Sequence, residues 1–340
     1  MEYISLGKTN LIVSIIGFGC IPITRLTRHD AVDLLHYAFD KGITFYDTAN
    51  GYFDSEEKLG KAFSKIRKKV IIATKSLKRD AKGITEHLDL SLKRLKTDYI
   101  DLYQLHQVSK EEDFKIIFSE QGALNALNKA KEAGKIRHIG VTSHNDKMAV
   151  KLIKTGVFET IQFPFNFIER QAENEVFIES EKNNLGIIVM KPFGGGALDN
   201  GKVALKFLKN FKYLVPIPGF EEKWQIDEAI DIYSKKEIQL DEMDLQVIEQ
   251  YKNELGKLFC RRCEYCMPCP SGVIIPFAMQ FKSVVKRMHK EKVLSFSKEI
   301  ESVNNCTDCG ICIKKCPYEL PIPEVIKQNY KLYENLNQHN

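Results

Sequence analysis

No apolar run in this chain of 340 residues reaches the roughly 20 residues that a membrane-spanning helix needs. The opening MEYISLGKTNLIV also lacks the basic-then-apolar leader of a secreted protein. These two absences give the expectation of a soluble, cytoplasmic protein kept in a reducing compartment. A concentrated basic stripe is missing too: the formal net charge is only +5 and the pI is near 8.5, so no nucleic-acid partner is expected. Cysteine is almost absent from most of the chain. Cys20 stands alone before residue 260, and the other eight of nine cysteines crowd into two short runs near the C-terminus.

Those runs carry the strongest local signal. CRRCEYCMPCP places Cys260, Cys263, Cys266 and Cys269 ahead of Pro270, and CTDCGICIKKCP places Cys306, Cys309, Cys312 and Cys316 ahead of Pro317. A Cys-x-x-Cys-x-x-Cys loop can cap three corners of a four-iron, four-sulfur cubane, and in bacterial ferredoxins the last cysteine of each run ligates the other run's cluster. By that rule one 4Fe-4S cluster takes Cys260, Cys263, Cys266 and Cys316, and a second takes Cys306, Cys309, Cys312 and Cys269. Only Met267 and Pro268 separate Cys266 from Cys269, one residue fewer than the bacterial pattern, which leaves the partner of Cys269 open. Zinc is the blander alternative, but zinc sites close with four ligands and have no use for a Cys-Pro fourth member. Disulfides do not suit a reducing compartment.

Residues 1–256 read differently. Eight apolar, β-branched runs recur, at 14–20, 43–49, 70–76, 99–108, 138–144, 160–166, 186–192 and 213–220, and amphipathic helix-period segments lie between them. Several of those segments end at Gly42, Gly134 or Gly156, where glycine serves a helix C-cap. Near-continuous apolar strands that alternate with helices demand a parallel sheet covered by helices, and eight repeats is the number that closes a (β/α)8 TIM barrel. An open doubly wound sheet is the alternative. It calls for a Gly-rich fingerprint after its first strand, which GFGCIPITR does not supply. The expected division is a barrel over 1–256 and a small iron-sulfur domain over 257–340.

Barrel chemistry sits at the C-terminal ends of the strands. Asp47 ends the second run, with Tyr52 in the loop beyond it; Lys75 ends the third run and His106 the fourth. Any one of these has an ordinary explanation as a cap, a loop aromatic or a hydrogen-bonded core histidine. Together they form a proton-transfer set. A phenol with an unperturbed pKa of about 10 is a poor acid at neutral pH, an adjacent ammonium favours its ionised form, and a buried ammonium needs a carboxylate to stay charged.

The segments GITFYDTANGYFDSEEKLGKAF, VIIATKS, DYIDLYQLHQV, GKIRHIGVTSHN, TIQFPFNFIER, IIVMKPFGGGAL and VPIPGF resemble the aldo-keto reductases over the length of the barrel. The cysteine runs narrow the resemblance to the branch with a C-terminal ferredoxin-like dicluster domain. The resemblance implies hydride transfer between NAD(P)H and a carbonyl or alcohol substrate, with catalytic Tyr52, Asp47, Lys75 and His106. It also implies nicotinamide contacts at Ser143, Gln162, Asn166 and Met190. Cofactor phosphates would lie against Gly194, Gly195, Gly196 and Gly219, with Lys223 nearby. The resemblance favours NADPH, whereas the acidic stretch GFEEKWQIDEA, with Glu221 and Glu222, favours NADH. The clusters would exchange electrons, sense redox state or staple a small domain. Lys282, Lys286, Arg287, Lys290 and Lys292 form either a solvated helix face or a docking patch for ferredoxin or flavodoxin. Two other functions stay open: a redox-responsive, cofactor-sensing binding protein, and a cluster-dependent enzyme that uses the pocket for other redox chemistry.

Overall fold

The computed structural model describes residues 1–288 and 290–338; His289 and the side chain of Arg287, part of the basic stretch above, lie outside what is described. Its strands are β1 (Tyr3–Ser5), β2 (Ile12–Ser14), β3 (Phe18–Gly19), β4 (Phe45–Asp47), β5 (Ile71–Ser76), β6 (Ile100–Leu105), β7 (Ile136–Thr142), β8 (Thr160–Pro164), β9 (Gly186–Met190) and β10 (Leu214–Pro216). The helices over the first 240 residues are α1 (Arg28–Asp40), α2 (Ser55–Phe63), α3 (Ala81–Leu95), α4 (Glu111–Ile117), α5 (Ala123–Glu132), α6 (Asp146–Lys154), α7 (Val176–Lys182), α8 (Gly201–Lys209) and α9 (Lys223–Ser234). Then come α10 (Glu242–Leu255), α11 (Ile275–Arg287), α12 (Lys290–Leu294), α13 (Ser297–Glu301), α14 (Ile311–Lys315) and α15 (Ile322–Gln338). Among the described residues no helix is long and apolar enough to cross a membrane.

The chain divides into two compact units. The first comprises Met1–Phe193 and Asn200–Leu240, the second Gly194–Asp199 and Asp241–Asn340. In the first unit β3 to β10 form one parallel eight-stranded sheet in sequence order. Backbone bonds from Gly17 to the Pro216 carbonyl and from Gly19 to the Pro218 carbonyl, both 2.8 Å, join its two edges and close the barrel. Side chains alternate across each strand, so one parity faces the interior. Phe45, Ala73, Leu102, Ile188 and Val215 fill an interior layer. The antiparallel hairpin β1–β2 packs Leu6 and Val13 against the same layer. Gly7 pairs with Leu185 just before β9, so the hairpin plugs the N-terminal mouth and leaves the other end for chemistry.

The second unit is helical. Its core joins Val273, Ile275, Phe281 and Val284 to Val303, Leu320, Ile322, Ile326 and Tyr333, and Cys260, Cys266, Cys269, Cys306, Cys312 and Cys316 pack against this cluster.

Candidate active site and cysteine cradles

Two residues beyond the interior layer, the same inward parity places Asp47 on β4, Lys75 on β5 and Gln104 on β6, with Lys75 and Gln104 opposite one another in register. Lys75 is 1% exposed and Asp47 3%. The Lys75 ammonium donates to Asp47 Oδ2 and, at 2.7 Å, to the Thr48 carbonyl. Gln104 donates to Asp47 Oδ1 at 3.1 Å and to Gln162 Oε1 at 3.0 Å. The Lys75 nitrogen lies 5.2 Å from the centre of the Tyr52 ring, and that ring meets the His106 imidazole edge to face at 5.9 Å. The four residues of the proton-transfer set therefore converge at the C-terminal mouth of the barrel.

Their supports are equally specific. Tyr52 sits in a turn whose amide donates to the Ala49 carbonyl and whose carbonyl accepts from Ser55, the first residue of α2. Buried Glu56 on α2 accepts from Thr74 at 2.7 Å, and buried Lys58 donates to the carbonyls of Ile23 and Leu26. Arg94 on α3 bonds the Asn50 carbonyl at 3.0 Å, which fixes the loop that carries Tyr52. Beyond β6 the chain turns through Gln107 in the left-handed region, φ 55°, a conformation that costs a non-glycine residue about 1–2 kcal/mol. Arg79 holds that turn by donating to the carbonyls of His106 at 2.8 Å and Gln107 at 3.0 Å while pairing with Asp113.

The electrostatics follow from burial and neighbours. Burial pushes the Lys75 pKa down, but the charge of Asp47, then that of Tyr52, outweighs it, and the ammonium is held above its ordinary value. For Asp47 burial prevails over Lys75 and the two glutamines, and the carboxyl is raised. Burial, reinforced by the cations Lys75 and Arg79, holds His106 well below the usual imidazole range, so it is neutral at physiological pH and able to donate a hydrogen bond. Cys20, at the end of β3, is wholly buried, and burial followed by Asp47 pushes its thiol well up, as expected of an inert packed cysteine.

In the second unit the cysteines form two cradles. One is lined by Cys260, Cys263, Cys266 and Cys316, the other by Cys269, Cys306, Cys309 and Cys312, with Cys266 on the wall between them. Cys269 thus faces the second run despite the shortened spacing. The two loops share one backbone pattern: Arg262 and Glu264 in the first, Asp308 and Gly310 in the second, have φ between 53° and 71° at equivalent places relative to their cysteines. Alternating right- and left-handed residues turn successive amides into a concavity that favours an anion, the arrangement found around iron-sulfur sites. All nine cysteines are free. Among the described residues no three His, Cys, Asp or Glu side chains are grouped to hold a single ion. Burial pushes Cys263 up to about 11 and Cys266 up to about 12, so these thiols need a cationic partner to ionise at neutral pH.

The profile of the Aldo/keto reductase family matches residues 15–212, and that of a 4Fe-4S dicluster domain matches residues 259–321. Aldo-keto reductase YhdN of Bacillus subtilis (strain 168) is 32% identical over 260 residues, which cover 69% of this chain and 76% of that protein. Aldo-keto reductase yakc [NADP(+)] of Schizosaccharomyces pombe is 32% identical over 209 residues, covering 55% and 60%. Among solved structures, an aldo-keto reductase from Klebsiella pneumoniae in complex with NADPH superposes with a TM-score of 0.63 at 21% identity, over 74% of this chain and 95% of that one. The chain belongs to the aldo/keto reductase family. It is an oxidoreductase of that family with a C-terminal 4Fe-4S dicluster domain.

Within this reductase the residues expected to touch the cofactor have these places. Gln162 lies beside the Asp47–Gln104 pair. Ser143 is buried, its hydroxyl donating to the Asn145 carbonyl and accepting from its amide. Asn166 is buried and committed to its own turn: it donates to Glu169 and the Lys191 carbonyl and accepts from the amides of Ile168 and Glu169. Met190 ends β9, half-buried. Gly194, Gly195 and Gly196 are all left-handed and belong to the second unit, where the Gly195 carbonyl accepts from Ser283. A Cβ at Gly219 would lie 2.4 Å from the Pro22 side chain, so only glycine fits where the loops after β3 and β10 meet. Lys223 stacks over Tyr37 at 5.2 Å.

The acidic stretch beyond β10 is not a bare cluster of negative charge. Arg25 pairs with both oxygens of Glu221. Glu222 caps α9 and accepts from the Trp224 indole at 2.9 Å, and Asp227 pairs with Lys41 at 2.7 Å. Gln104 and Arg79 are the site residues that the sequence reading missed. Gln104 was detectable, since it shares the inward parity of Leu102 and His106.

Proposed function

We propose that this chain reduces an aldehyde or ketone, or oxidises the corresponding alcohol, with NADPH, and that its cysteine cradles hold two 4Fe-4S clusters. The observation that carries the reading is the convergence of Tyr52, Lys75 and His106 around an ion pair buried to within a few per cent. The nicotinamide supplies the hydride. Neutral His106 donates a hydrogen bond to the substrate carbonyl and orients it. The Tyr52 hydroxyl gives the proton that the carbonyl oxygen needs as it gains negative charge. Lys75, kept cationic by Asp47, stabilises the phenolate left behind. Gln104 holds the second oxygen of Asp47, so the pair keeps one orientation. Support for NADPH is the pairing of Glu221 with Arg25 and of Asp227 with Lys41, together with the NADP(+) in the name of the S. pombe relative.

The cradles suit cubanes in donor set and in backbone. Each has four thiols, and each loop presents the same amide concavity. Bound clusters would supply one-electron chemistry beside the two-electron chemistry of the barrel. Thiolate ligands must stay reduced, which agrees with a cytoplasmic setting.

The deciding experiment is anaerobic NADPH oxidation against a panel of aldehydes and ketones, with Tyr52→Phe as the control. The variant should keep cofactor affinity, because the ring remains, and lose about 10²- to 10⁴-fold in kcat. Undiminished turnover would remove Tyr52 as the proton donor. Iron analysis of the same protein should give about eight irons per chain.

A further inference from the structure

We propose that the surface around Cys309 is the docking face for an acidic one-electron carrier protein, and that Lys282 and Lys286 of α11 are not. This deepens the reading above and rests on the cradles holding clusters.

The two cradles differ in access. Cys260, Cys263, Cys266 and Cys316 of one cradle are all partly buried, whereas Cys309 in the other cradle is exposed. Directly after it, α14 lies almost wholly in solvent and presents Ile311 and Ile313, 39% and 38% exposed, on so short an element. Ile311 lines the cradle itself. Lys314 and Lys315 stand exposed beside these isoleucines, and among the described residues neither is ion-paired. Asp308, which would weaken their field, is paired with Lys327 at 2.5 Å. An apolar centre with a charged rim is the composition of a transient protein interface.

The sign of the charge identifies the partner's chemistry. Residues 257–340 carry thirteen Lys and Arg against eight Asp and Glu, which is the entire +5 of the chain; residues 1–256 balance. A cationic face of this kind steers an anionic protein and repels a basic one. With a 4Fe-4S cluster held by Cys269, Cys306, Cys309 and Cys312, each encounter would pass one electron from the reduced carrier to that cluster, with no proton or bond exchanged. Cys266 lies on the wall shared with the other cradle, which makes the exposed side the entrance.

The α11 lysines are placed badly for this task. Ile275 at the start of α11 lines both cradles. Lys286 is three turns further along, about 16 Å at 1.5 Å per residue. Electron tunnelling falls exponentially with distance, so a carrier bound there would be slow.

The test uses a plant-type [2Fe-2S] ferredoxin as the acidic probe. Stopped-flow reduction of the full-length, iron-loaded protein gives the second-order rate, and calorimetric titration with oxidised ferredoxin gives affinity without turnover. Lys314→Glu with Lys315→Glu should lower rate and affinity at low salt by about tenfold or more and flatten the salt dependence. Lys282→Glu with Lys286→Glu should change either by no more than about twofold, and Glu324→Lys, beside the cradle residue Pro323, should raise both. An unaffected Lys314/Lys315 variant, or a loss confined to the Lys282/Lys286 variant, overturns the proposal. Iron content and NADPH-linked carbonyl reduction, measured on every variant, separate this failure from failure of the cluster reading, in which no variant would hold about eight irons.

Discussion

Breaking the buried pair at the centre of the site should destabilise the barrel by an amount that protonation itself limits. In Asp47→Asn the Lys75 nitrogen keeps the Thr48 carbonyl and an amide oxygen but loses the one counter-charge within bonding distance among the described residues. An ammonium stranded there can shed its proton, so the penalty at pH 7 cannot exceed the work of moving a pKa from about 10.4 to 7, about 5 kcal/mol at 1.36 kcal/mol per unit. The mirror limit for an unpaired Asp47 in Lys75→Met is about 4 kcal/mol, and both agree with the 3–5 kcal/mol typical of broken buried pairs. The double variant removes both charges and should cost well under the sum of the singles, leaving a coupling of about 2 kcal/mol or more. The pH dependence gives a second signature. In Asp47→Asn the folded-state lysine pKa falls below its unfolded value, the unfolded chain binds more protons, and stability relative to the parent should rise as pH climbs from 7 toward 10. Urea unfolding followed by circular dichroism at several pH values measures both quantities. Additive losses, or a variant whose stability runs parallel to the parent across that range, would refute the reasoning, and catalysis should be lost in all three variants.

Arg79→Met should loosen the Gln107 turn and remove one of the cations that suppress protonation of His106; the imidazole pKa, followed by NMR, should rise, and an unmoved resonance would show that Arg79 is only scaffold. Glu159 tests acid stability: burial raises its carboxyl, but bonds from His138, Lys131 and the Ile139 amide outweigh that and hold it at about 2. Its contribution is therefore fully present above about pH 4.5 and lost as pH falls through 2. Glu159→Gln should cost roughly 1–3 kcal/mol at neutral pH, after allowance for partial exposure, and flatten the acid limb of the stability curve. With each cofactor compared in steady state, NADPH should give at least about a tenfold higher kcat/KM than NADH, on the order of 1.4 kcal/mol; the reverse order would mean that the carboxylates beyond β10 face the ribose after all.

What was legible in the sequence is what short-range regularity encodes. The eight apolar runs are the eight barrel strands, and Gly42, Gly134 and Gly156 take the left-handed conformation expected of helix C-caps. The proton-transfer residues were readable because parity and strand ends dictate where an inward polar side chain must go. The β1–β2 hairpin was not, since strands of three residues are too short to show a period, and its purpose as a plug emerges only where Leu6 and Val13 meet Phe45 and Leu102. Nor could periodicity show that Gly194–Asp199 groups with the second unit.

The acidic stretch after β10 shows how distant residues alter what local charge implies about a cofactor. GFEEKWQIDEA reads as a field that repels a 2′-phosphate, yet the partner of Glu221 is Arg25, 196 positions away, brought to it where the loops after β3 and β10 meet at Gly219 and Pro22. Asp227 is likewise matched by Lys41 from the end of α1. Closing a barrel joins its first and last strands, so charges at opposite ends of the unit's sequence become first neighbours and cancel. A carboxylate paired in this way neither repels a phosphate strongly nor accepts freely from a ribose hydroxyl. On the NADPH reading proposed above, cofactor preference at this seam would turn on whether Arg25 stays with Glu221 rather than on the count of acidic residues in the loop.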